Sequence, residues 1–114
     1  MADPATDLVF TALAHPARRR MLDLLVAVPG MNVKALASHF DFSRIAAMKH
    51  LGVLESAGLV LSEKRGRARR LFFNAVPIQQ IYDRWTDQYS SFWAARMTDV
   101  QARVEARGKQ RKNA

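Results

Sequence analysis

Cysteine is absent from the sequence, which excludes disulfides and thiolate metal sites and makes a reducing, cytoplasmic location the natural expectation. No aliphatic run is longer than Leu24–Val28, far short of the roughly 20 apolar residues a membrane helix needs. The opening "MADPATDLVF" is acidic where a secretory leader is basic. Histidine is scarce: His15, His39 and His50 fall in different segments without metal-ligand spacing. No glycine-rich loop is present to cradle a phosphate, and the serines and carboxylates form no recognisable catalytic set. These gaps argue against an enzyme, and no metal or cofactor is expected.

Acidic side chains are also in short supply. Ten Asp and Glu face eighteen Lys and Arg in 114 residues, a net charge of +8. The excess is concentrated in two places. Residues 63–70 carry five basic side chains against Glu63, residues 103–114 carry five against Glu105, and the remainder is neutral. Such footprints point to a polyanion: DNA, RNA or a membrane surface. A chain of this length fits one domain and buries roughly two thirds of its unfolded surface, enough for a core without staples.

The order of elements follows from punctuation and periodicity. Asp3–Pro4 starts a first helix, with Leu8, Val9, Ala12 and Leu13 at helical spacing. His15–Pro16 breaks it, and "PARRRMLDLLVAV" forms a second, ended by Pro29–Gly30. Asn32 caps a short third helix, "VKALASHF", and Ser43 a fourth, "RIAAMKHLGVLESA", stopped by Gly58. Beyond Gly58 the apolar period changes from 3.6 to 2: "LVLSEK" and "RRLFFN" read as strands around the turn "RGRA". Val76–Pro77 opens one long last helix whose apolar stripe runs from Ile78 to Val104 for about seven turns. From Gly108 the chain has nothing to bury, so residues 1–107 are expected to form one domain and 108–114 a disordered basic tail. The expected fold is mainly α with a small β-hairpin, in the order α-α-α-α-β-β-α: a winged helix-turn-helix.

In that arrangement the fourth helix enters the major groove of double-stranded DNA. Its candidate contacts are Ser43, Arg44, Ala47, Met48, Lys49 and His50. Arg44 suits a guanine edge, Ser43 and Lys49 suit phosphate, and Ala47 and Met48 offer apolar contact to a thymine methyl. The charged hairpin tip, with Lys64, Arg65, Arg67, Arg69 and Arg70, reads as a wing lying on the adjacent backbone or minor groove. Arg18, Arg19 and Arg20 crowd a helix N-terminus, where the dipole disfavours them. They either meet phosphate or pair with Asp7 or Asp23. The terminal stripe would span about 40 Å, against a radius of gyration of about 13 Å for such a chain. Part of it is therefore expected to pack on a second copy. Val9, Phe10, Leu13, Trp85, Tyr89, Phe92, Trp93 and Met97 are the candidate interface, and a two-fold dimer presents two reading helices to a palindromic site.

Through "SRIAAMKHLGVLESAGLV" and "KRGRARRLFFN", and at "LAHPARRRMLDLL", the sequence resembles the ArsR family of bacterial winged-helix repressors; "VPIQQIYDRWTDQYSSFWAARM" resembles a subgroup with an aromatic-rich terminal helix. The resemblance implies a homodimer built through first and last helices, and operator binding that blocks transcription and is often relieved by a small-molecule effector. It does not extend to metal sensing, since "KALASHF" lacks the cysteine pair of the metal sensors and the terminal helix lacks the zinc-sensing histidines and paired acids. Met48 replaces a small hydroxyl residue common in the family. Gly52 stands where a basic residue is frequent, weakening the helix by about 1 kcal/mol relative to alanine. Two other classes fit parts of the pattern: a non-specific nucleic-acid binder using wing and tail, and a protein-interaction module using the aromatic helix.

Overall fold

The computed structural model describes residues 3–86 and 90–113. The helices α1 (Pro4–Leu13) and α2 (Pro16–Ala27) lead the chain, followed by a two-residue strand β1 (Met31–Asn32), α3 (Val33–Ala37) and α4 (Arg44–Ser56). Strands β2 (Val60–Arg65) and β3 (Ala68–Phe73) form a hairpin, and α5 (Val76–Trp85) and α6 (Ser90–Asn113) complete the order. The chain divides into two compact units, residues 1–81 and 82–114.

Local chemistry sets the helix starts. A cap oxygen or nitrogen takes an orphan backbone N–H that no earlier carbonyl can reach. Asp3 Oδ1 accepts from Ala5, Asn32 Oδ1 from Ala35 and Ser43 Oγ from Ala46, at 3.0, 2.7 and 3.1 Å. His15, read in sequence only as the residue before a proline, also caps: its Nδ1 accepts the Ala17 N–H at 3.0 Å. The end of α4 is a complete Schellman motif. The Gly58 N–H donates to Glu55 O and the Leu59 N–H to Leu54 O, both at 3.0 Å. Gly58 takes φ +75°, and Leu54 and Leu59 are both fully buried.

The hairpin closes over Gly66 and Arg67, since Arg65 pairs with Ala68 and Val60 with Phe73. Only Gly66 of the two takes a positive φ, +61°, the signature of a type II′ turn whose twist matches the strands. The expected two-stranded hairpin is a three-stranded sheet in the order β1-β3-β2, with Met31 opposite Leu71 and Asn32 opposite Arg70. A two-residue strand carries no periodicity, and its pairing exists only once Gly30 has returned the chain to the sheet, where its N–H donates to Leu71 O at 2.9 Å.

Met21, Leu25, Leu36, Leu51, Leu54, Leu59, Val60 and Leu71 make the centre of the core, each worth about 1.5–3 kcal/mol of burial. Ile78 and Ile81 of α5 pack against it. Three expectations are corrected. Val9 is only 3% exposed, so it belongs to the core and is not available to a partner. The single terminal helix is two elements, α5 and α6, with residues 87–89 outside the described residues. Helix α6 also continues through Gly108 to Asn113, where the sequence pattern predicts a disordered tail. The residues flanking Gly108 are good helix formers, and Lys and Arg near a helix C-terminus oppose the dipole's negative end.

One substitution has opposite signs at two positions. Gly52 is exposed, mid-helix, with no neighbouring atom within 4 Å of where a Cβ would stand, so Gly52→Ala should stabilise by about 1 kcal/mol. Gly58→Ala should destabilise by about 1–2 kcal/mol, the cost of a Cβ in the left-handed region. Urea midpoints of the two variants check both.

Candidate nucleic-acid interface

Helix α4 is anchored through Ala47, Leu51 and Leu54, spaced at i, i+4 and i+7. This leaves Arg44, Ile45, Met48 and Lys49 on the outward face. Ala47, expected in the groove, is only 4% exposed; it lies one position off the outward stripe and packs in the core. Ile45, which the sequence pattern did not single out, is 72% exposed. Its apolar character suggested a buried position, and only the phase of the helix against the core places it outside. Arg44 and Lys49 make no hydrogen bond or ion pair among the described residues. Arg44 occupies the first turn with no acidic residue beside it, a placement the helix dipole disfavours by about 0.3–1 kcal/mol and a bound anion would relieve.

The orientation of α4 is held from behind by Arg18. Its Nε donates to Ala12 O at 2.8 Å and its Nη2 to Thr11 O at 2.9 Å, so it closes the C-terminal carbonyls of α1. Arg19 Nη1 closes Leu13 O at 2.7 Å. The third Arg18 contact is Nη1 to His50 Nδ1, 3.2 Å. A guanidinium only donates, so this imidazole nitrogen accepts and His50 is neutral. The His15 ring lies 4.5 Å and the Phe42 ring 5.3 Å from the His50 ring. Burial, then His15, then Arg18 push the His50 pKa below 6.5. His50 thus positions α4 from its half-buried side, and does not share the outward face with Lys49. The arginine triplet pairs neither with Asp7 nor with Asp23: two members cap α1, and Arg20 lies over the Phe40 ring at 5.8 Å.

The wing divides its cations. Arg69 Nη2 binds Glu55 Oε1 at 2.7 Å and Ser62 Oγ at 3.2 Å, joining β3 to the end of α4. Arg70 Nη1 reaches Gly30 O at 3.3 Å. Arg65 pairs with Glu63 at 3.1 Å on the exposed strand, where such a pair contributes little. Lys64 and Arg67 are exposed and have no partner among the described residues.

Of the remaining expected interface residues, Phe10 is half exposed on α1 and Leu13 packs partly against the core. Trp85, Phe92, Trp93 and Met97 are exposed, with Arg96 over the Phe92 and Trp93 rings at 5.5 Å each. Tyr89 lies outside the described residues. No helix among the described residues is long and apolar enough to cross a membrane, and no group of three or more potential metal ligands occurs among them.

Residues 13–63, from the end of α1 into the wing, match a helix-turn-helix domain family. An HTH-type transcriptional regulator of Bacillus subtilis, YuzN, is 33% identical over 87 residues, covering 71% of this chain and 95% of YuzN. The transcriptional repressor SdpR of the same organism is 31% identical over 71 residues, 62% of this chain and 78% of SdpR. The crystal structure of an ArsR family transcriptional regulator is similar with a TM-score of 0.67 and 31% identity, covering 82% of this chain and 97% of the other. This chain belongs to the ArsR family. As an ArsR protein it is a DNA-binding transcriptional regulator built on a winged helix-turn-helix, and its class is not enzymatic. The matched residues contain α3, α4 and most of β2.

The neutral His50 makes this ArsR fold pH-dependent. Its folded pKa lies below its unfolded value, so its contribution to stability is fully present above pH 6.5 and is lost as pH falls toward the folded pKa. Unfolding midpoints should fall between about pH 7.5 and about pH 5. His50→Gln, whose amide oxygen accepts from Arg18 without titrating, should flatten the part of that decline due to His50.

Proposed function

We propose that the protein is a dimeric repressor that binds a palindromic operator in the cytoplasm. The observation that carries this reading is the pairing of two sets of unpartnered cations: Arg44 and Lys49 on the outward face of α4, and Lys64 and Arg67 on the wing that Arg69 ties to that helix. Within a protomer, Arg44 reads a base edge, with Ser43, Met48 and Lys49 beside it. Lys64, Arg65 and Arg67 contact backbone or minor groove, while Arg69 and Arg70 hold the wing in place. Reading and dimerisation together occupy residues 1–107, and the basic residues beyond Arg107 add non-specific attraction.

Two copies associate through exposed apolar residues of the first and terminal helices: Phe10 with Leu8, and Trp85, Phe92, Trp93 and Met97. These are among the large apolar side chains that stay exposed on the single chain, the kind of surface that association covers. A two-fold axis then sets two α4 helices about one DNA turn apart, roughly 34–36 Å. Repression is supported by the similarity to SdpR, a transcriptional repressor.

Duplex from the protein's own upstream region, titrated against a scrambled duplex at about 0.15 M salt, tests the reading. A native preference of about a thousandfold or more, with two protomers per site, is expected; equal, steeply salt-dependent binding to both would favour a non-specific binder. Two variants separate the roles. Lys64→Glu with Arg67→Glu should weaken every duplex and shallow the salt slope, whereas Arg44→Ala should relax preference at one position by about 1–3 kcal/mol. Trp93→Glu with Met97→Glu should shift the sedimenting species from dimer to monomer.

A further inference from the structure

The reading helix presents more hydrocarbon than a charged DNA reader requires. Ile45 is 72% exposed and Met48 39%, and with Arg44 and Lys49 they line a shallow hollow of about 460 Å³. The fold does not need these side chains there: the core face of α4 is complete with Ala47, Leu51 and Leu54, and β-branched isoleucine is a poorer helix former than leucine or alanine. An exposed aliphatic pair between two unpartnered cations instead has the shape of a contact surface.

We propose that this hollow recognises thymine, with Ile45 and Met48 packed on C5-methyl groups in the major groove while Arg44 and Lys49 engage the flanking base edge and phosphate. The inference rests on the reading of α4 as the DNA-contacting helix and names what that helix selects. In the major groove thymine presents a C5-methyl group beside its O4 acceptor, whereas adenine, guanine and cytosine present hydrogen-bonding groups and no methyl. An aliphatic surface gains by covering the methyl. Over the other edges it would strip water from donors or acceptors without replacing their bonds, which is unfavourable. Preference therefore arises by attraction and exclusion together. Charge complementarity argues for DNA over a second copy of the chain as occupant. A two-fold interface at this face would set Arg44 and Lys49 against their own counterparts with no acidic residue in the hollow, whereas a duplex brings phosphates.

The test begins with sites selected from a randomised duplex pool by the full chain. In the best site, each thymine is replaced singly by uracil, which keeps pairing and removes only the methyl. At least one thymine per half-site should then show about a fourfold loss of affinity, the factor expected for one buried methyl. With Ile45→Ala or Met48→Ala, exposed truncations that leave the core intact, the uracil penalty at that thymine should disappear while other positions keep theirs. Selected sites whose affinity ignores uracil everywhere, or whose penalty is the same in both variants as in the native protein, overturn this inference and leave operator binding standing. A pool that yields no enriched sequence overturns operator reading itself, and this inference with it. An Ile45→Ala protein with an altered sedimenting mass assigns the hollow to self-association and overturns it as well.

Discussion

The Arg18 guanidinium sits where three helices meet, and the placement of α4 depends on it. A helix C-terminus leaves carbonyls without intrahelical partners and with partial negative charge. Two of those on α1 are closed by Arg18 and a third by Arg19. The remaining Arg18 contact crosses to His50 on α4, so one planar fork ties the end of α1, the start of α2 and the middle of α4. Five donors in a rigid plane hold that geometry in a way a lysine point charge does not. His15 adds to the same junction by capping α2 and setting its ring, tilted by 50°, against that of His50.

A second consequence concerns how charge is distributed. The concentration of basic residues in the hairpin suggests a uniform polyanion contact, yet the side chains divide the work. Arg69 bridges to Glu55 and Arg70 to the Gly30 carbonyl, which fixes the wing relative to α4 and to the start of β1. Lys64 and Arg67 have no partner among the described residues at the tip. The hairpin thus carries both kinds: cations without a partner among the described residues, and braced ones that hold it at a set distance from α4.

Exposed apolar surface is the third recurring feature, and it occurs in two distinct settings. On the terminal helices it is aromatic and long, with arginines lying over the rings. On α4 it is aliphatic, small and flanked by Arg44 and Lys49. The first has the composition of a protein seam, where large amphipathic side chains bury area at low entropic cost. The second sits among charges that would repel in a self-complementary contact and suit a polyanion.

Local chemistry made the element order legible. Asp3, Asn32 and Ser43 cap helices because a short polar side chain reaches the nearest orphan N–H whatever the rest of the chain does, and Gly58 and Gly66 mark turns that only a residue without a Cβ takes cheaply. Those signals, with the change of apolar period after Gly58, were enough for the winged helix-turn-helix. What they did not specify was the phase of each helix against the core. Ala47 and Ile45 are two positions apart, both apolar, and packing alone sends one inward and the other to solvent; Val9 and Phe10 divide in the same way. The β1 strand, the Arg18–His50 contact and the Arg69 brace join residues distant in the chain, and such partners are set only when the tertiary fold brings them together. The sequence by itself determined the capped helices, the hairpin strands and the glycine turns, since those depend on neighbours within a few residues. Only the tertiary structure decided which side chains turn inward and which stay exposed, because burial is a property of the assembled core.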